Sequence, residues 1–514
     1  MGGYEAPLTL SAFLAGLAVA GRVHGIWMAV GLAVEAEMLY LAGVRLRSRF
    51  LRALGWIGFA FSLERLLIVD VLYLDGRSLW FGHEIRNWTP PALFHAALFY
   101  LNRRLHGPAA AFSWLAGGLL ALVLGVETHQ RFLGAAWLLA TVGLYEIGRW
   151  KKLREYRMQA CCLGVMGVGA LLWVHLTADW PLPWIPLSLG LAIAYGYALR
   201  AAREGEWLTW GAACCTLLLG LLLLDKVVPA GYLGLAWWLA ALSWFELGLR
   251  KRPEPLRWIS YAAAALATVA VVVSHIGEFA KFAPLVVWGS YLGAGAAAWI
   301  LSLRAELEDA GERAVVRNAS SAVGTLFVLA GLWVVAPRAV VPVAWMGLSL
   351  LLLVLARRPV LSYFCAGLSF LHVWEANFPS EEMVTAGAVA ATLYGAEFLA
   401  HRSPRARAFF SALATLLVAG LLWHEVSDRM LTVAWGVEGL LLLAAGFPAR
   451  ERPLRLAGLA LLLFCISKLF VYDLRHLETL YRILSFVALG LILLGVSWIY
   501  TRFRETIRRG FLQE

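Results

Sequence analysis

The chain has 514 residues, 61% of them hydrophobic and only 15% charged, and a mean hydropathy of +0.73. Soluble globular proteins are about 45–50% apolar and about 25% charged, so this composition excludes a water-soluble fold and predicts an all-α integral membrane protein. The net charge of +11 does not imply a nucleic-acid partner, because the basic residues are scattered over short segments and form no single groove.

A spanning helix needs about 20 apolar residues. Breaking the chain at charge clusters and at Pro/Gly punctuation predicts about twenty such runs, forming one polytopic domain over 1–514 with no soluble domain. The first run, 4–21, follows a start without a basic n-region and reads as a retained helix. Five tryptophans then mark an internal repeat: Trp27, Trp137, Trp237, Trp345 and Trp435 are separated by 110, 100, 108 and 90 residues, and each opens an apolar run followed by a basic loop. The period of about 100 residues contains four helices, so successive units point the same way across the membrane.

The first repeat, about 26–127, has runs at 26–44, 51–72, 89–103 and 109–127. Glu35 and Glu37 fall mid-helix in its first run, and the adjacent Glu64 and Arg65 of the second can serve as partners. Charges inside hydrocarbon cost about 2.5–3.5 kcal/mol each on the insertion scale and are functional candidates by default. The loop at about 73–88 is the longest on its side and carries Glu84, close after Asp70. The second repeat, 131–226, has runs at 132–149, 155–177, 182–201 and 206–226, with His175 followed by Asp179. The third, 231–335, has runs at 231–249, 256–275, 281–303 and 316–335, with His275 followed by Glu278. The fourth, 339–425, has runs at 339–356, 359–375, 382–400 and 407–425, with His372 followed by Glu375 and with His424 beside Glu425. The fifth, 430–501, has runs at 430–447, 453–472 and 477–501, and carries the intramembrane charges Glu438 and Lys468 and the helix-end Asp473.

Loop charge sets an orientation. With alternate loops assigned to opposite sides, 32 of the 44 Lys and Arg fall on one side and 12 on the other. Short basic loops stay cytoplasmic, so both termini are expected there. Eight of the eleven histidines collect on the opposite, outer side with Asp and Glu. Together with Asp70 and Asp473, the His/acid pairs named above predict a polar ring at that face. His with a carboxylate at i+3 or i+4 is a ligand spacing for zinc or manganese, and capping of helix ends is the structural alternative. No phosphate-binding loop, dinucleotide fingerprint or hydrolase motif occurs, so no cofactor and no catalytic residue is implied. The six cysteines form no CxxC pair and read as small packing residues.

The C-terminal stretch reads Pro453-Leu-Arg-Leu-Ala-Gly458, Lys468-Leu-Phe-Val-Tyr-Asp473, Leu477, Leu480-Tyr-Arg-Ile-Leu-Ser-Phe486, Gly490 and Gly495-Val-Ser-Trp-Ile-Tyr-Thr-Arg-Phe503. It resembles the closing signature of the domain-of-unknown-function 2339 family of bacterial membrane proteins. The resemblance implies a multi-pass bacterial inner-membrane protein and brings no reaction with it. Three functions stand as expectations. A carrier or flippase for an envelope lipid, lipid-linked glycan or small solute comes first, and predicts a hydrated cavity reaching Glu35, Glu37 and Arg65. The others are a scaffold subunit with envelope protein partners, and a glycosyltransferase-type enzyme with Asp70 and Glu84 in one cleft. Membrane lipids are the common partner.

Overall fold

A computed structural model describes residues 5–73, 76–80, 82–105, 110–177, 184–201, 206–251, 254–275, 283–375, 383–400, 403–449, 451–468 and 479–502. Twenty α-helices are formed among them, each on one of the apolar runs. Nine are long and apolar enough to cross a membrane, and at most 50% of the apolar window of any of these is buried. So much exposed apolar surface needs a non-aqueous surrounding.

The chain divides into two compact units, Met1–Leu266 and Ala267–Glu514. In the first, α1 (Glu5–Arg22) packs on the hairpin α2 (Trp27–Arg45) and α3 (Arg49–Glu64). Further hairpins come next: α4 (Thr89–Leu105) with α5 (Ala110–Glu127), α6 (Gln130–Trp150) with α7 (Arg154–Thr177), α8 (Trp184–Ala201) with α9 (Glu206–Val227), and α10 (Leu233–Lys251) followed by α11 (Glu254–His275), within which the boundary between the units falls. The second unit holds α12 (Pro284–Arg304) with α13 (Ala310–Val335), α14 (Val341–Val354) with α15 (Pro359–Glu375), α16 (Met383–Leu399) with α17 (Pro404–Glu425), and α18 (Asp428–Gly446) with α19 (Arg452–Lys468). The last helix, α20 (Thr479–Arg502), packs on α18.

Neighbouring hairpins stack in a regular way. First helices meet first helices, as in α6 on α8 and α14 on α16, and second helices meet second helices, as in α15 on α17 and α17 on α19. Basic turns therefore lie side by side at one end of the stack within each unit and are tied by ion pairs between hairpins. Arg103 Nε donates to Glu155 at 2.8 Å, Arg200 Nε to Glu146 at 2.7 Å and Arg407 Nη1 to Glu451 at 2.6 Å. Polar caps start helices after several of these turns. The hydroxyls of Ser48 and Ser403 accept from the Leu51 and Ala406 amides, and Asp309 accepts from Gly311 and Glu312, each satisfying amides the helix leaves unpaired.

Three contacts recur from hairpin to hairpin. Near the basic turn, Gly43, Gly148, Gly248 and Gly446 each face an arginine nine residues later, so closely that an added Cβ would come within 3.1 Å of its backbone nitrogen. Deeper in, glycine meets glycine across α6–α7 (Gly134, Gly167), α12–α13 (Gly295, Gly324) and α18–α19 (Gly439, Gly458), where carbonyl oxygens occupy the space a side chain would take. Small residues let membrane helices approach and pack without a hydrophobic driving force. At the other end, Trp137, Trp345 and Trp435 donate their indole N–H to the carbonyls of Ala121, Leu329 and Ala419 at 3.1, 3.1 and 2.9 Å. Each bond reaches back sixteen residues and ties one hairpin to the next. Trp27 instead packs on Trp80 at 6.3 Å.

One segment departs from the all-α expectation. The stretch read as a plain loop at 73–88 contains an antiparallel hairpin, β1 (Arg77–Trp80) and β2 (His83–Arg86), turning at Gly82 with φ +84°. Four-residue strands are too short for alternation to announce them. They are fixed instead by tertiary contacts: Glu127 of α5 accepts from the Arg86 amide at 2.9 Å and from the Thr89 hydroxyl at 2.5 Å.

Candidate functional site

The charges of the first unit are largely tied within it. Glu37 accepts from Asn102 Nδ2 of α4 at 2.5 Å. Glu35 faces α1, where a Cβ on Gly16 would lie 3.3 Å from its Oε2. Glu64 lies on the exposed surface of α3. Arg65 opens a π-helical turn over Arg65–Asp70 and pairs with Asp70 at 3.4 Å. The wider turn explains the partnership, because i→i+5 bonding brings positions five apart together along the helix. Asp70 is 0% exposed, so it lines no open cleft with Glu84, which is exposed. Beside this pair, Ser62 Oγ lies 2.6 Å from His95 Nε2 and 2.7 Å from the Ala29 carbonyl, which it can donate to, while His95 Nδ1 is 2.7 Å from the Pro91 carbonyl. These buried polar groups join α2, α3 and α4 inside an aromatic core of Phe59, Phe99 and Phe112.

The polar ring is placed residue by residue. His175 is buried, with neither ring nitrogen hydrogen-bonded among the described residues. His372 sits against the rings of Trp333 and Trp345, at 5.0 and 5.8 Å, with Nε2 3.4 Å from the Arg338 carbonyl. Glu375 is exposed at the end of the same helix. His424 Nδ1 is 3.5 Å from Glu425, and both are exposed. Asp179, Glu278 and Asp473 lie outside the described residues, as does the side chain of His275. Among the described residues no group of three metal-ligating side chains comes together. The glycine–arginine contact also corrects the alignment of the first repeat. Trp137, Trp237 and Trp435 precede their contact glycines by eleven residues, whereas Trp27 precedes Gly43 by sixteen. In that register Asp70 is the counterpart of His175.

The second unit also contains buried acids. Glu438 of α18 and Glu397 of α16 are both buried, and none of their four carboxylate oxygens has a hydrogen-bond partner among the described residues. The Ser411 hydroxyl and the Arg407 guanidinium of α17 are polar neighbours of Glu397. Tyr394 lies one turn before Glu397, and its hydroxyl lies 3.4 Å from Thr415 Oγ1 of α17. Glu438 is one of the sequence candidates. Glu397 is not: it stands three residues from the end of an apolar run and reads as part of the following basic loop. Its available signal is the i, i+3 pairing with Tyr394, which puts two polar groups on one helix face. Lys468 donates to the Thr432 hydroxyl at 3.0 Å and lies over the Trp435 ring at 5.5 Å.

Beside this cluster runs a groove of about 470 Å³. Its aromatic rim comes from Trp374, Trp423, Trp435 and Phe464, and its deeper wall includes Thr415. It extends from the neighbourhood of Lys468 to the hydroxyl that meets Tyr394.

These features define a predominantly helical membrane protein with buried carboxylates and an apolar groove in its second unit. The chain belongs to the DUF2339 family of predicted membrane proteins, whose profile matches residues 91–503. Glu397, Glu438 and Lys468 fall inside the matched segment, while Glu35, Glu37, Glu64, Arg65 and Asp70 precede it. No curated protein and no solved structure matches the chain.

Proposed function

We propose that the protein is a multi-pass carrier of the bacterial inner membrane that moves an envelope lipid or lipid-linked glycan, with Glu397 and Glu438 as its working polar groups. The observation carrying this reading is the pair of buried carboxylates whose oxygens lack hydrogen-bond partners among the described residues. An isolated charge in hydrocarbon is too costly to keep without a role. Such an acid is held protonated, or it is neutralised by a cationic or hydrogen-bond-donating part of a bound molecule, and alternation between these states is what a coupled carrier needs. The loop-charge asymmetry supports twenty spans with both termini cytoplasmic. The recurring glycine, glycine–arginine and tryptophan contacts support five parallel units of about 100 residues.

The test is translocation of fluorescent phosphatidylglycerol in proteoliposomes, read by dithionite quenching with and without an imposed pH gradient. The wild type is expected to exceed empty liposomes, to respond to the gradient, and to lose that response in Glu438→Gln and Glu397→Gln. A wild-type rate equal to that of empty liposomes, or variants that match the wild type, overturns the proposal.

A further inference from the structure

We infer that the groove between α17 and α19 is a binding site for one anionic phospholipid, with Lys468 at the headgroup and the acyl chain running inward toward Thr415. This deepens the carrier reading by naming its substrate class, and depends on that reading only for the movement of the lipid once it is bound.

The two walls are built for a chain. On α19 the lining residues Ala457, Ala460, Leu461 and Phe464 recur at helical spacing, and the same stripe continues one turn further to Lys468. On α17 the corresponding stripe is Ala412, Leu416, Ala419 and Trp423. Small residues form the floor and aromatic rings the rim, so the trough is narrow, smooth and apolar along its length. Trp423 is 60% exposed, Phe464 55% and Leu416 55%, which places the opening on the lateral, lipid-facing surface. Its volume falls in the range of small-molecule sites, about 300–1,000 Å³.

The charge is at the correct end. Trp374, Trp423 and Phe464 all lie in the last turns of their helices, and Trp435 lies near the start of α18, so the rim is at the end of the stack remote from the basic turns. Tryptophan belts mark the level of lipid headgroups. Lys468 is the last residue of α19, one turn past Phe464, and its ammonium rests over Trp435. A cation at headgroup level above an apolar trough selects a phosphate-bearing amphiphile with net negative charge over one without it. At the inner end the trough reaches Thr415, whose hydroxyl lies 3.4 Å from that of Tyr394, one turn before Glu397.

The experiment uses the full chain in detergent, with equilibrium binding of phosphatidylglycerol and of phosphatidylcholine with identical chains read by native mass spectrometry. The wild type is expected to prefer phosphatidylglycerol. Lys468→Glu should reduce that preference by at least about fivefold, the effect of about 1 kcal/mol from losing one basic side chain at an anionic surface. Ala460→Trp, which fills the trough, should weaken both lipids. In parallel, p-benzoylphenylalanine replacing Leu416 should give a lipid-mass adduct on irradiation in native membranes. No headgroup preference, a preference unchanged in Lys468→Glu, or a protein adduct at position 416 overturns the inference. Binding that meets these expectations without translocation supports the lipid site and overturns the carrier reading, so the two fail separately.

Discussion

The indole bond that ties successive hairpins gives a sharp internal comparison. Trp345 is 7% exposed and donates to the Leu329 carbonyl at 3.1 Å. Trp435 makes the same bond to Ala419. Trp237 occupies the corresponding place in the sequence pattern, yet its buried indole nitrogen has no hydrogen-bond partner among the described residues. Replacing each by Phe removes a similar piece of ring, so differences among the variants isolate the N–H group. Interhelical hydrogen bonds in membrane proteins average about 0.6 kcal/mol and reach about 1.7. An unsatisfied buried donor costs about 1–3 kcal/mol. Trp345→Phe and Trp435→Phe should therefore destabilise by about 0.6–1.7 kcal/mol beyond the loss of ring contacts, while Trp237→Phe recovers part of its loss by discarding an unpaired donor. The gap between the two classes should be about 1 kcal/mol or more. Unfolding by SDS in mixed micelles, followed by tryptophan fluorescence or by gel mobility, reads this directly. If Trp237→Phe loses as much stability as Trp345→Phe, the indole bond contributes nothing and the reasoning fails.

Further outcomes are expected from the same structure. Arg65→Ala leaves Asp70 buried without its cation and should cost about 3–5 kcal/mol, whereas Arg65→Met combined with Asp70→Leu should recover most of it in the same unfolding assay. Gly458→Ala places a methyl 2.7 Å from the Gly439 carbonyl and should destabilise by about 1–3 kcal/mol through overpacking. Gly490→Ala, with open space around it, serves as the control. Lys152 holds φ +56° in the α6–α7 turn, so Lys152→Gly should stabilise by about 1–2 kcal/mol, and an unchanged midpoint would show that the turn is not strained. Glu438→Met should raise the melting temperature while abolishing translocation, since it trades an uncompensated buried acid for an apolar side chain of similar length. A fall in melting temperature would instead identify the acid as a structural group.

Much of the architecture is legible in the sequence because hydropathy and charge act over whole helices. Runs of about twenty apolar residues are long enough to average out local exceptions, and each of the twenty described helices falls on one of them. The polar partnerships are harder to read, because they depend on which helix faces which. Glu37 is paired with Asn102, sixty-five residues away, and Arg65 with Asp70 through a π turn that α-helical spacing does not anticipate. The offset of the first repeat shows the same limit. Trp27 shares its sequence setting with the other four tryptophans, but the glycine contact that fixes register lies sixteen residues on, rather than the eleven found after Trp137, Trp237 and Trp435. Glu397 escapes a reading of the sequence because proximity to a basic loop gives a carboxylate an easy explanation, and only the neighbouring helices reveal that it is buried.

The sixteen-residue reach of the indole bonds bears on how such a chain is made. Synthesis proceeds from the N-terminus, and a tie that reaches back only sixteen residues can close as soon as the second partner has left the ribosome. Nothing at Trp137, Trp345 or Trp435 has to wait for distant sequence, so the order of assembly follows the order of translation. Such local closure also makes length negotiable. A gene segment running from the acceptor helix of one hairpin to the tryptophan helix of the next carries both partners of the bond, so the tie moves with it as a unit.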